Sequence, residues 1–312
     1  MDKKSKTIDR CQISGVQDLK TVLSLGYLPP VNKLNKINSS LREDVFYPAE
    51  LMFSPSSKLI QLSTIVDKEI LFPKEYPYTS STTKILRENF KELYKDCRKI
   101  INITSKDLII DIGSNDGNLL SNFKNSHRVL GITPEKIGKI AIRKGIPTLI
   151  RYFNKSSANL VLQKYGKAKI ITATNVFAHI ENVNLLMKNL LRVLKDDGVF
   201  ISESHYLVSL IKTNQYDTIY HEHLRYYSLR TLIRLFDRYD MEVFDCERIS
   251  SHGGSIRVYV ALKEKFTKSE NVQKILEYEE RLKLSSIETY QEFARKIYDN
   301  KTKLVSLLSK IK

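Results

Sequence analysis

The densest chemistry in this 312-residue sequence lies in QYDTIYHEHLRYYS, residues 215–228. His221 and His223 bracket Glu222, and Tyr220 precedes them. Histidines two apart do not share a helix face, so this is not the two-histidine zinc helix of metalloproteases. A phenol, a carboxylate and an imidazole in one short run can stabilise an oxyanion, orient a base and act as that base. The same residues are also compatible with structural histidines in a polar loop. A second candidate is DIGSNDG, residues 111–117, at the end of an apolar run. Gly113 and Gly117 there would let a ligand lie against the backbone and the start of a following helix. An ordinary strand-to-helix turn carries the same short glycine pattern.

The surrounding elements must bring these two segments together. Apolar runs at 108–112, 129–132, 148–150, 170–173 and 198–203 alternate with helical patterns at about 135–144 and 183–194, and a helix is also expected directly after Gly117. Strand–helix alternation at this spacing predicts an α/β fold with a parallel sheet covered on both faces. A helix near 229–239 leads to two further strands, 242–247 and 255–262, with no helix between them; they are expected to pair antiparallel at one edge. Residues 1–85 are loop-rich and hold six of the eight prolines. Ile287, Tyr290, Ala294, Ile297, Leu304, Leu308 and Ile311 mark one helical face in a tail without strand signals. The division follows as 1–83, a small N-terminal domain; 84–265, a cofactor domain; and 266–312, a helical tail.

Composition narrows the function. Lys and Arg number 51 against 35 Asp and Glu, a formal charge of +16, while 42% of residues are hydrophobic, which excludes disorder. The basic residues are scattered and mostly Lys, without the clustering of a nucleic-acid footprint, so no specific nucleic acid is expected. No apolar run is long enough for a membrane helix, and MDKKSKTIDR lacks the apolar stretch of a signal peptide. Three cysteines do not make a disulfide framework. The expectation is a soluble, cytoplasmic protein.

Asp111-x-Gly-x-x-x-Gly on the first strand, the five-strand alternation and the final strand pair resemble the class I S-adenosylmethionine-dependent methyltransferases, a Rossmann-like fold. A nicotinamide-binding domain would show GxGxxG and an acid ending the second strand, and neither is present. YDTIYHEHL (216–224), TNVFAHI (174–180), SHGGSIRVY (251–259), LGYLPPVN (25–32) and YPYTSS (76–81) together resemble the sugar C-methyltransferases, which methylate carbon 3 of nucleotide-linked 4-keto deoxysugars. The resemblance implies S-adenosylmethionine as cofactor, held by Asp111, Gly113, Asn115, Asp116, Gly117, Thr133, Asn175 and Val176. Thr133 stands where such enzymes usually carry an acid, with Glu135 as a stand-in. It implies His223 as base, Glu222 orienting it, and Tyr220 and His179 supporting the enolate oxygen or the sugar. Tyr76 and Tyr78 would close the pocket, and His221, His252 and Arg257 would meet the sugar nucleotide.

Two departures shape further expectations. The family's N-terminal domain usually binds zinc through two Cys-x-x-Cys pairs, and the matching positions here are Cys11, Ser14, Ser54 and Ser57. One thiolate does not make a tetrahedral zinc site, so no metal is expected. Family members also continue into a further α/β domain. The resemblance therefore implies that the tail is the start of that domain and that its apolar face meets an oligomer partner or a separate C-terminal domain.

Overall fold

The computed structural model describes residues 5–32, 45–73 and 79–311. Its N-terminal part contains β1 (Ser5–Thr7), β2 (Lys20–Leu28), β3 (Tyr47–Phe53), β4 (Ile60–Leu62), β5 (Thr64–Val66) and the single turn α1 (Lys68–Leu71). β3 alternates buried and half-buried residues along its length, as a strand with one covered face must. β2, β3 and β4 pair antiparallel in sequence order, and β1 pairs with β5.

After α2 (Lys84–Ile100) the chain builds the main sheet from β6 (Leu108–Ile112), β7 (Arg128–Thr133), α3 (Gly138–Arg143), β8 (Thr148–Ile150), α4 (Lys155–Lys164), β9 (Ala168–Thr174), α5 (Val183–Val193) and β10 (Leu194–His205). β6 is buried at every position, the signature of a parallel strand covered on both faces. Then come α6 (Leu207–Lys212), β11 (Arg225–Tyr226), α7 (Leu229–Asp237), β12 (Met241–Ile249), β13 (Ser255–Leu262), α8 (Glu270–Arg281) and α9 (Ile287–Ile311). The seven strands lie in the order β12-β13-β10-β9-β6-β7-β8. β13 runs against both neighbours, inserted between β12 and β10, and the other described pairings in this sheet are parallel. This is the class I methyltransferase topology. Separate apolar clusters fill the two faces of the sheet, one centred on Phe177, Phe200 and Phe236 and the other on Leu93, Phe123 and Ile170.

Three features differ from the sequence reading. The segment after Gly117 is one 3-10 turn, Leu120–Asn122, rather than an α-helix. The Ser121 hydroxyl and the Asn122 amide both donate to the Asn118 carbonyl, which removes that acceptor from a helical ladder. The tail is two helices, broken where Lys283 takes a left-handed conformation (φ 53°). Finally, β11 belongs to the N-terminal sheet, where Arg225 pairs with Gln61 and Tyr226 with Ile60. The residues immediately after the HEH segment are thus stitched into the small sheet. Tyr290, Phe293, Ala294 and Ile297 of α9 pack with Leu23, Leu51 and Phe53 of the same sheet and with Ile219 and Tyr226. Tyr290, Phe293, Ala294 and Ile297 in the first half of α9 are buried, whereas Leu304, Val305, Leu307, Leu308 and Ile311 are exposed. Among the described residues no helix is long and apolar enough to cross a membrane.

Candidate active site

A cavity of about 1010 Å3 opens beyond the carboxyl ends of β6, β7, β9 and β10. Ligands gather at this end of an open α/β sheet, because strand ends and the loops that follow them leave a crevice there. The volume is at the top of the roughly 300–1,000 Å3 range of ligand clefts.

One end is built by β6 and β9. Asp111 lines it, and burial pushes its carboxyl up to about 7 while a 2.7 Å hydrogen bond from Thr172 Oγ1 pulls the other way. A carboxylate so poorly compensated favours a cationic ligand group. Gly113 is irreplaceable for space: a Cβ there would stand 2.3 Å from Val176 Cγ2. Asn115 (φ 50°) and Asn175 (φ 56°) take left-handed turns that bring the two strand ends together, and both line the cavity with Val176. These residues fit the amino group and sulfonium charge of S-adenosylmethionine.

Three of the expected cofactor residues stand elsewhere. Asp116 is fully buried, accepting from Ser80 Oγ at 2.7 Å and paired with Lys144 at 3.1 Å. It fastens the turn instead of facing a ligand. Gly117 serves packing, since a Cβ there would come within 2.8 Å of Ala141 and Ile146. Thr133 is 1% exposed and does not line the cavity; its hydroxyl donates to Glu135, which does line it. The acid of this corner is therefore displaced two residues along the chain.

At the other end, four of the six histidines (His179, His205, His223 and His252) line the cavity with Tyr220 and Glu222. The His223 ring lies 4.3 Å from that of Tyr220 and 5.0 Å from that of His179. His223 Nδ1 is 2.8 Å from the Thr218 carbonyl, an acceptor only, so Nδ1 carries the proton. Nε2 is then the lone-pair nitrogen and takes a 3.2 Å hydrogen bond from the Tyr220 hydroxyl. Burial lowers His223 to about 4, so it is neutral at physiological pH. Burial, reinforced by the neighbouring His223, likewise drives His179 well below its ordinary value. His179 stacks on Phe72 at 5.7 Å.

The orienting group of His223 is thus the Thr218 carbonyl and not Glu222, because both ring nitrogens already have other partners. Glu222 instead accepts from Asn32 Nδ2 at 2.6 Å, a contact that brings the N-terminal part onto the cavity. His221 is 1% exposed and absent from the cavity lining; its Nε2 meets the Pro48 carbonyl at 3.1 Å and its ring packs edge-on against Tyr47, pinning the loop to β3. Arg257 is a further correction. It is enclosed by Glu203 (3.1 Å), Glu247 (2.8 Å) and Asp96 (3.5 Å), with Asn89 completing the shell, and has no fork left for a diphosphate. Tyr76 and Tyr78 lie outside the described residues.

Sequence reading missed His205, Gln215 and Arg225. His205 ends β10, a strand-end position that the topology alone could have flagged. Gln215 accepts from His205 Nε2 at 2.9 Å and donates to the Gly253 carbonyl at 2.9 Å. That clasp explains SHGG: a Cβ on Gly253 would strike Gln215 at 2.5 Å, and one on Gly254 would strike Ser209 at 2.3 Å.

The four positions that match the family's zinc ligands do converge. Cys11 Sγ lies 3.0 Å from Ser57 Oγ, Ser14 N donates to Cys11 Sγ at 3.4 Å, and Ser57 N donates to Ser54 Oγ at 3.4 Å. One thiol and three hydroxyls do not fit zinc, and hydrogen bonds hold this knuckle instead.

Comparison with known proteins settles the family. A family model described as "Methyltransferase domain" matches residues 84–245, just over half of the chain. The "C-methyltransferase C-terminal domain" model matches 250–312, and a zinc binding domain model matches 11–72. The chain belongs to the family of the methyltransferase domain. It is 30% identical over 258 residues to the C-methyltransferase NovU of Streptomyces niveus, covering 82% of this chain and 61% of that protein. The chain therefore spans about three fifths of the length of that curated relative. Solved structures similar to it include the magnesium protoporphyrin IX methyltransferase of Synechocystis PCC 6803 (TM-score 0.44, 14% identity, 57% of this chain and 83% of that one). Another is a methyltransferase of Anabaena variabilis (TM-score 0.43, 16% identity, 55% and 84%).

Proposed function

We propose that this chain methylates a carbon next to a ketone, C-3 of a nucleotide-linked 4-keto deoxysugar, with S-adenosylmethionine as methyl donor. The observation that carries this reading is the tautomer of His223, with a neutral Nε2 lone pair held in the cavity by the Thr218 carbonyl behind it. A hydrogen beside a ketone is weakly acidic, and such an imidazole can take it. Once protonated, the ring still donates through Nδ1 to Thr218, which supports the imidazolium. Tyr220 would donate to the enolate oxygen after leaving Nε2, and neutral His179 adds a second polar group beside it. S-adenosylmethionine supplies, when bound, a methyl group activated by a sulfonium. Asp111, Gly113, Asn115, Asn175, Val176 and Glu135 would hold it at the far end of the same cavity. The N-terminal domain, residues 1–83, would cover the sugar end through Asn32, Tyr76 and Tyr78. Such an activity would serve deoxysugar biosynthesis.

The test is hydrogen–deuterium exchange at C-3 of a 4-keto sugar nucleotide in D2O. Wild-type protein is expected to exchange that hydrogen, and His223→Ala to slow exchange by about 100-fold or more. Equal exchange in both proteins would remove His223 as the base. Calorimetry with S-adenosylmethionine checks the other end of the cavity, and absence of binding would overturn the cofactor assignment.

A further inference from the structure

Arg225 is buried to 1% exposure and lines the active-site cavity. Its donors all meet neutral acceptors: Nε reaches Tyr227 Oη at 2.8 Å, Nη1 reaches Gln12 Oε1 and the Glu181 carbonyl, and Nη2 reaches the Phe177 and Ile180 carbonyls. Among the described residues no carboxylate comes within the 4.0 Å of an ion pair. A buried charge is costly to keep without a counter-ion, and buried guanidinium groups are ordinarily paired. The carbonyls it gathers belong to the turn that carries His179, and it sits two residues after His223. It therefore spans the two histidine-bearing segments.

We propose that Arg225 is a positioning residue that also supplies a fixed positive field, stabilising the anionic intermediate formed when His223 removes the substrate proton. This rests on the enolate chemistry proposed above. The C–H bond breaks, its proton goes to His223 Nε2, and its electron pair shifts through carbon to the ketone oxygen, which becomes the oxyanion. The positive charge gained by imidazolium and the negative charge gained by oxygen arise inside a low-dielectric wall, where a preorganised cation acts strongly and a counter-carboxylate would cancel it. The same charge, after burial and the neighbouring His223, helps keep His179 neutral, with His252 acting in the same sense. Asp111, Glu135, Glu181, Asp217 and Glu222 are the acids that line the same cavity.

Gln12→Glu gives a discriminating test. It places a carboxylate where the amide oxygen already meets Arg225, almost without change of shape, and Gln12 lies outside the cavity lining. A purely structural Arg225 would be held at least as firmly by the new ion pair, with exchange unchanged. The proposed role predicts that Q12E slows C-3 exchange, measured with S-adenosylhomocysteine bound, by about tenfold, and raises the His179 midpoint in an NMR titration. Arg225→Lys, which keeps the charge, is expected to exchange within about tenfold of wild type, and Arg225→Gln to lose about 100-fold. S-adenosylhomocysteine affinity within about twofold of wild type would show that the cofactor end remains intact. Wild-type exchange that Q12E leaves untouched, with His179 unmoved, overturns the role of Arg225 alone. No exchange in wild type overturns the enolate reading itself, and an unmoved His179 in Q12E would then refute the field independently of substrate. Should Arg225→Gln fail to fold, the Q12E measurements decide.

Discussion

Arg225 and Arg257 are each 1% exposed, yet their surroundings are opposite. Arg257, on β13, is ringed by Glu203, Glu247 and Asp96 away from the cavity. Arg225, on the cavity wall, has only carbonyls, an amide and a phenol. The two ends of β6 repeat the contrast. Burial pushes Asp107 up, but Lys195 at 2.6 Å and the Thr104 hydrogen bonds bring it down to about 2, whereas burial holds Asp111 at about 7. Charges in the scaffold are neutralised by partners. On the proposed reading, these two charges facing the cavity serve ligand and intermediate.

The largest effect should come from breaking the paired arginine. Arg257→Met leaves Glu203 buried without its cation and should destabilise the fold by about 3–5 kcal/mol. Adding Glu203→Gln should recover much of that in a denaturant melt. Arg225→Met strands carbonyls but no carboxylate, so about 1–3 kcal/mol is expected, with loss of exchange out of proportion to stability. Equal destabilisation by both would erase the distinction.

Next in size is the pH response of cofactor binding. A cationic amino group needs ionised Asp111, so affinity should fall by up to about tenfold per pH unit below about 7, and Asp111→Asn should flatten that dependence. For stability the sign reverses. With its carboxyl raised, the fold binds a proton that the unfolded chain does not, and this contribution is lost as pH rises through about 7.

The histidines act oppositely and more gently. Burial lowers His179, His205, His221 and His223, so the unfolded chain takes up protons first as pH falls below about 6.5. Stability should therefore decline from about pH 6.5 to about pH 4, and His223→Gln should blunt that loss in thermal melts across the same window. The smallest effect belongs to the hydrogen-bonded knuckle. Cys11→Ser should cost about 1 kcal/mol, and a chelator should leave the melting temperature where it was. A chelator-sensitive melt would restore a metal to this site.

Much of the scaffold was legible in the chain. Apolar runs such as 108–110 announce buried parallel strands, and the helix-free step from 242–247 to 255–262 announced an antiparallel pair. The 3-10 turn after Gly117 was not legible, because Ser121 and Asn122 fold back on Asn118 only once the turn is closed. Gly113 and the histidines were recognisable as chemistry. The orienting group of His223 was not, because a backbone carbonyl has no sequence signature.

The sequence by itself determined the alternation of strands and helices, the chemical types available, and the loss of three thiols at the knuckle, since these depend on side-chain identity and local periodicity. Only the tertiary structure decided which charges are spent. Arg225 and Arg257 are the same residue in neighbouring motifs, and nothing in their spacing distinguishes them. What separates them is the carboxylates that Asp96, Glu203 and Glu247 bring from distant parts of the chain to one and not to the other.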